Sequence, residues 1–434
     1  MRPGRRALLA LLGLCLVALA VPWLPWLTGV LGGGLLVLFG TMATEASLLG
    51  RLQVTLTRRR RAVLSLDEEE ELPFTLWSNS TRPLSVVVRQ PWPPLLTTGS
   101  FRGQGRLLPG SALTFTPRVH PVARGRAALS PPWVALSWWG FAERLRAVGE
   151  PGELTVLPNL KAVARLRQRL DAFVLRGQGA RVAPRRGKGR EFDRLRELVQ
   201  DDDYRDVAWK ASARHGKLIV KEYRLERAQD LLLCVDRGHR MAARTTRISR
   251  LDHALDAALQ VAYLSHRQED RIGALCFAAD VEQGVPQGKG TAQLRRLTEL
   301  FAGAQPELLH TDYRRLAVHV RRRLRSRALV LIFTTLPERE TGDELVAAVR
   351  SLLPTHLPLV IVLSDPGLRA AAEVLPADED ELARVLVARD LWEGQQEIAQ
   401  RLRRLGAWVI QAPPEDAGVE AVNAYLEIKR RQRL

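Results

Sequence analysis

The sequence predicts a multi-domain membrane protein: a transmembrane helical hairpin, an Ig-like β-sandwich, and a C-terminal doubly wound parallel α/β sheet. Three observations predict it. An uncharged run of 38 residues fills positions 7–44. Short β-branched and aromatic runs, broken by turn residues, follow as far as residue 157. From residue 229 onward, continuous apolar runs alternate with amphipathic stretches. The expected boundaries are 1–50 for the anchor, 51–158 for the sandwich, 159–228 for a linker helix and a charged motif, and 229–434 for the α/β domain.

The anchor comes first. A helix needs about 20 apolar residues to cross about 30 Å of hydrocarbon, so the run is too long for one crossing and suffices for two. The sequence "PWLPW" supplies the break, because Pro22 and Pro25 interrupt a helix while Trp23 and Trp26 suit the headgroup interface. Helices are predicted over 7–22 and 27–44. Arg2, Arg5 and Arg6 precede the run, and Arg51 and Arg58 to Arg61 follow it, so both flanks are expected in the cytoplasm. A cleaved signal peptide, with Ala18-Leu19-Ala20 as its site, is the competing reading. It too leaves the rest of the chain on the arginine-rich side.

The β-rich segment contains "LQVTL", "LPFTLW", "PLSVVV", "ALTFTP" and "WVALSWW", punctuated by "SNSTRP", "LLPGS" and "SPP". That is the pattern of a small antiparallel sandwich. A helix is expected next, with Leu160, Val163, Leu166, Leu170 and Phe173 at helical spacing, then a Gly- and Arg-rich linker over 177–189. The runs "DLLLCVD", "RIGALCFAADV", "ALVLIFTTL", "LPLVIVLSD" and "AWVIQAPP" read as strands buried on both faces. Amphipathic helices between them imply a parallel sheet.

Composition narrows the function classes. The net charge is +18, but only 7 of the 65 basic residues are Lys, and the arginines do not alternate with aromatics as a strand-stacking groove requires. No nucleic-acid partner is expected. Cys15, Cys234 and Cys276 form no C-x-x-C pair and no disulfide framework. No G-x-G-x-x-G or G-x-x-x-x-G-K-[ST] follows a strand, so no nucleotide cofactor is expected.

The densest chemistry lies in "GREFDRLRELVQDDDYRDVAWKASAR", residues 189–214. It resembles the signature of the bacterial family filed as domain of unknown function 58 (DUF58), roughly G-x-E-F-x-x-L-R-x-Y-x-x-G-D-x-x-R-x-I-D-W-K-x-x-A-R. Gly189, Glu191, Phe192, Leu195, Arg196, Asp202, Arg205, Trp209, Lys210, Ala213 and Arg214 match. Leu198, Asp201 and Ala208 depart from it. Arg124-Gly125, Trp139-Gly140-Phe141 and Val156-Leu157-Pro158 are similar to landmarks of the β domain that usually precedes the signature. The resemblance implies a bacterial inner-membrane protein, multi-pass, with cytoplasmic soluble domains and a von Willebrand A-like α/β domain. It further implies a scaffold or adaptor for a MoxR-type AAA+ ATPase, with other von Willebrand A proteins as further partners.

Von Willebrand A-like domains often hold Mg²⁺ through D-x-S-x-S after the first strand, with a Thr and an Asp on later loops. Here the strand ends in "CVDRGHR": Asp236 is present, but Gly238 and Arg240 replace the serines. Thr311 is the candidate Thr, and Thr335 stands where the last Asp is expected. One charged ligand beside an arginine predicts a degenerate, metal-free site. Arg240 either pairs with Asp236, or takes a partner's acid, or points away.

An enzyme reading puts Glu191, Asp202 and Lys210 in a metal-dependent hydrolase or nuclease. It fails at Ala208, where such nucleases carry an acid two residues before the Lys. Asp201, Asp202 and Asp203 are consecutive, so they do not all converge on one point. The expectation is therefore a non-enzymatic binding module. "REFDRLREL" is expected as a short helix, Asp202 or Asp203 as a partner of Arg205 or Arg214, and Trp209 as a buried anchor, with a purely structural role and a docking face both open.

Overall fold

Proline chemistry shapes the first two elements. Helix α1 spans Arg5–Ala18 and helix α2 spans Leu27–Gly50. The first ends four residues sooner than its expected limit at 22, because the ring of Pro22 collides with the carbonyl four positions back, that of Ala18. At 14 residues α1 is about 21 Å long, whereas the 24 residues of α2 rise about 36 Å. By length and composition α2 suffices to cross a membrane. The two pack closely where Gly34 meets Leu14, since a Cβ at Gly34 would lie 2.7 Å from the Leu14 side chain. The structure, a computed structural model, describes residues 2–159, 191–199, 204–224 and 229–431, apart from 20, 25, 98, 245–246, 282–283 and 337–338. The expected helix and linker over 160–189 lie outside the described residues.

The chain divides after Leu157 into two units. In the first, a five-stranded antiparallel sheet runs in the order Arg2–Pro3, Ala142–Ala147, Trp133–Ser137, Leu84–Pro91, Ser100–Leu107. Val54–Arg58, Phe74–Ser78 and Ala112–Phe115 form a second antiparallel sheet. Alternating residues face a shared core that contains Phe74, Leu76, Leu84, Val86, Val88, Leu107, Val134 and Leu136. A third sheet joins Gly125–Leu129, Gly152–Leu157 and Arg61–Ser65, and its last pair is parallel. The strands are thus more numerous than expected and not all antiparallel. Ser100–Leu107 shows weak apolar alternation because two of its inward positions, Gly103 and Gly105, are glycine, where a Cβ would crowd the Phe115 and Leu113 side chains at 2.8 Å.

Helix α2 ends inside this unit, and Glu45 is the reason it continues past residue 44. Its side chain is fully buried and accepts five backbone N–H groups in succession. Oε1 takes those of Trp138 (2.8 Å), Trp139 (2.8 Å) and Gly140 (3.2 Å), and Oε2 takes those of Phe141 (2.9 Å) and Ala142 (2.9 Å). One turn later Leu49 enters the β core. The chain's first residues reach the same loop: Gly4 and Arg6 donate backbone N–H groups to the carbonyls of Phe141 and Gly140, and Arg2 pairs with Glu143.

The second unit contains a six-stranded sheet in the order Val285–Gly288, Arg271–Phe277, Asp230–Asp236, Leu329–Thr334, Leu357–Leu363, Trp408–Ala412. Five strands are parallel and the edge strand Val285–Gly288 is antiparallel, so the sheet is mixed where a wholly parallel one is expected. Side chains of one strand alternate between two cores: Leu231, Leu233 and Val235 face one, Leu232 and Cys234 the other. Helices Arg250–Arg267, Thr291–Gly303 and Ala417–Arg430 cover the first, and Tyr313–Arg323, Arg339–Leu352 and the second half of Glu379–Arg404 cover the other. Ser249 and Asp252 form a capping box that starts Arg250–Arg267. The strand order reverses between Asp230–Asp236 and Leu329–Thr334, and open α/β sheets bind ligands beyond the carboxyl ends of such strands.

Candidate functional site

At that reversal point sits Asp236, the last residue of its strand and only 2% exposed. Its Oδ1 accepts the Thr311 hydroxyl at 2.7 Å and the Gly238 N–H at 2.8 Å. Its Oδ2 accepts the Thr334 hydroxyl at 2.5 Å and the Tyr313 hydroxyl at 3.4 Å. Burial pushes the Asp236 carboxyl above the usual carboxylate range, with these four donors opposing the shift. Burial, then the neighbouring Asp236, also raises the Tyr313 phenol.

The sequence expectation for this site needs one correction. Thr334, not Thr335, meets Asp236; the Thr335 hydroxyl is buried and has no hydrogen-bond partner among the described residues. The register explains this, because Val235 pairs with Phe333 and the next step sets Thr334 beside Asp236. Gly238 is glycine for a steric reason: a Cβ there would lie 2.2 Å from Thr311 Oγ1 and 3.2 Å from Asp236 Oδ1. Arg240, half-buried, donates from Nη1 to the Leu336 carbonyl at 3.3 Å. A Mg²⁺ ion wants six oxygens with open lone pairs. Here the loop supplies one carboxylate, Asp236, while Gly238 and Arg240 bring no side-chain oxygen. The residues do not fit a hard cation, and the described residues contain no cluster of three His, Cys, Asp or Glu side chains suited to a metal.

The charged motif includes a two-stranded sheet of its own. Glu191–Glu197 is a strand, not the expected helix, and pairs antiparallel with Ile219–Arg224. A bulge between Phe192 and Arg194 is the cause. One extra residue sets positions 192 and 195 opposite Tyr223 and Lys221, on the same side of the ribbon, so a spacing of three serves a strand as well as a helix. Tyr204–Asp206 makes one 3₁₀ turn and Trp209–His215 a short helix, closed by Gly216 at φ 64°.

Trp209 is not the anchor: it is 66% exposed. Val207 and Ala208 are buried in its place. Ala208 N–H donates to the Ile219 carbonyl at 2.8 Å, and Ser212 Oγ accepts the Ile219 N–H at 2.9 Å. Lys210 and Arg214 are exposed on the same helix, and Tyr204 is exposed before it. Leu195, Val199 and Leu218 are exposed on the ribbon and its flanks. Arg196 donates to the Glu197 carbonyl at 3.1 Å, and Lys217 bridges Glu197 at 2.9 Å on the surface. Glu191, Phe192 and Arg205 are described in the backbone only, and Asp202 lies outside the described residues with its expected pairing. The motif and Asp236 occupy separate places in the chain's topology; Thr334 and Tyr313 are the contributors to the Asp236 site that the sequence reading missed.

No curated protein matches the chain. Among solved structures it is similar to the conserved hypothetical protein BatB from Bacteroides thetaiotaomicron, at 12% identity over 47% of this chain and 100% of that one, TM-score 0.33. Escherichia coli alpha-2-macroglobulin, from domain MG7 to the C-terminus, matches at 15% identity over 24% and 16%, TM-score 0.19. The PapD-like domain 7 of human CEP192 matches at 14% identity over 24% and 83%, TM-score 0.17. Residues 194–366, from the paired strands of the motif past the Asp236 site, match the model of the family described as "Protein of unknown function DUF58".

Proposed function

We propose that the protein is a non-enzymatic, membrane-tethered binding module, an adaptor that hands substrates to a MoxR-type AAA+ ATPase in envelope or complex maturation. The observation that carries this reading is Trp209, an indole held 66% exposed on a helix that also presents Lys210 and Arg214. Aromatic and basic side chains in one exposed cluster are the composition of a docking hot spot. In this reading the first unit is an Ig-like sandwich and the second a von Willebrand A-like domain with a metal-free ligand position. The α1–α2 pair is a hairpin in the bacterial inner membrane with the soluble units cytoplasmic. Support for the hairpin comes from the start of α1 and the end of α2, which meet the same loop, residues 138–143.

The test is affinity capture from detergent-solubilised membranes with wild type, Trp209→Ala and Arg205→Ala. Loss of a co-captured AAA+ ATPase from the Trp209→Ala sample, with the variant still folded, is the expected result. Capture left intact by both substitutions refutes the docking role of this face.

A further inference from the structure

We propose that the first unit sits directly on an anionic phospholipid surface, through the loop Trp138–Ala142 and the arginines around it. This rests on the membrane-tethered reading above and deepens it: the β-sheets are not suspended on a leash but seated at the headgroups.

The geometry of α2 sets the level. Trp26, at its start, and Glu45, where the loop grips it, are 19 residues apart, and a helix rises about 1.5 Å per residue. The separation is about 28 Å, close to the roughly 30 Å of a bilayer's hydrocarbon. Aromatic residues mark both levels. Trp23 and Trp26 are 84% and 66% exposed at one end. At the other, the five N–H groups bound by Glu45 fix a loop whose Trp139 is 36% exposed, with half-buried Phe141 beside it. Between the two levels Leu35, Leu36, Val37 and Phe39 are exposed along α2. Trp and Tyr favour these two interfacial levels because their rings are apolar while one edge stays polar.

Charge selects the lipid. Arg82 lies over the Trp139 ring, its Cζ 6.0 Å from the centroid. The stem of Arg6 crosses Gly140, 3.5 Å from where a Cβ would stand, and Arg144 reaches the end of α2 at Gly50. Arg2, Arg5 and Arg51 are exposed at the same end of the two helices. Opposing them are Glu143, half-buried opposite Arg2, and Glu45, which is enclosed by the loop. An excess of exposed guanidinium groups within a Debye length of the headgroups favours anionic lipid.

The experiment uses the full chain, reconstituted in vesicles of phosphatidylethanolamine and phosphatidylglycerol that carry lipids brominated either high in the acyl chain or near its end. The emission difference between wild type and Trp139→Phe isolates Trp139. Trp77→Phe, at an exposed strand position, is the control. Seating predicts that shallow bromines remove the Trp139 share of the emission, that deep bromines remove less, and that the Trp77 share survives both. Replacing phosphatidylglycerol by phosphatidylcholine, or introducing Arg82→Glu, should weaken the shallow quenching; this second variant keeps the test alive if Trp139→Phe does not fold. Trp139 emission untouched by bromine in protein that resists carbonate extraction overturns the seating and leaves the anchor standing. Release by carbonate overturns the anchor itself.

Discussion

Replacing Glu45 by Gln should loosen the first unit more than its single-atom change suggests. The side chain is fully buried and five N–H groups point at its two oxygens, at 2.8 to 3.2 Å. An amide keeps one acceptor oxygen and turns an NH₂ toward two or three of those donors. Each buried donor left without an acceptor costs about 1–3 kcal/mol, and relaxation of the loop recovers part of it. A net loss of about 3 kcal/mol follows, and in a unit of this size 1 kcal/mol moves the melting temperature by roughly 2–4 °C. The first melting transition of the detergent-solubilised protein, followed by tryptophan emission, should therefore fall by about 10 °C. Glu45→Ala, which leaves all five donors bare, should fall at least as far. A Glu45→Gln protein that melts within about 2 °C of wild type would show that the donors are satisfied in some other way and would refute the argument.

Three further predictions concern the second unit. Gly238→Ser, which restores a hydroxyl expected of a metal-binding loop, forces a Cβ to 2.2 Å from Thr311 Oγ1 and should cost about 1–3 kcal/mol in thermal or urea unfolding. Adding Thr311→Ala should then cost less than the sum of the two single changes, and additivity would disprove the clash. Asp236 has a folded-state carboxyl raised by burial above its unfolded value near 3.9, so the stability it contributes is present below about pH 4 and is lost as pH rises through the folded value. The wild type should accordingly lose stability relative to Asp236→Asn over that rise, and parallel curves would contradict the sign. Asp270, with a fully buried side chain, accepts Lys429 Nζ at 2.8 Å, the Gln229 N–H at 2.9 Å and the Tyr425 hydroxyl. Asp270→Ala should destabilise by about 3–5 kcal/mol, and Lys429→Ala by less, because Lys429 keeps one-fifth of its side chain in water.

How far the fold could be read from residues depended on what each segment buries. Strands enclosed on both faces, such as Leu231 to Val235 and Leu357 to Leu363, announce themselves as unbroken apolar runs. Ser100–Leu107 does not, since glycine stands beside Phe115 and Leu113 where an apolar side chain would otherwise betray a strand. Glu191–Glu197 misleads for the opposite reason: the bulge gives a strand the spacing of a helix. In the candidate site, Asp236 and Thr311 are legible only through the resemblance to von Willebrand A-like loops. Thr334 needs the register of Val235 against Phe333, and Tyr313 needs the position of its helix. Trp209 shows the limit of composition, because a tryptophan is the same letter whether it fills a core or faces solvent. Glu45 ends an apolar run, a place where any charge looks like a boundary marker; the five amides it holds come from residues 93 to 97 positions later.

That separation orders the protein's birth. Residues 2 to 6 and the carboxylate of Glu45 emerge from the ribosome long before the stretch 138–143 that receives them, so neither hydrophobic helix has its native neighbour while most of the β strands are still being made. Closure over so long a loop is slow compared with helix formation. Truncating translation just short of residue 138 should strand a nascent chain with its helices formed and its two amphibious ends untied.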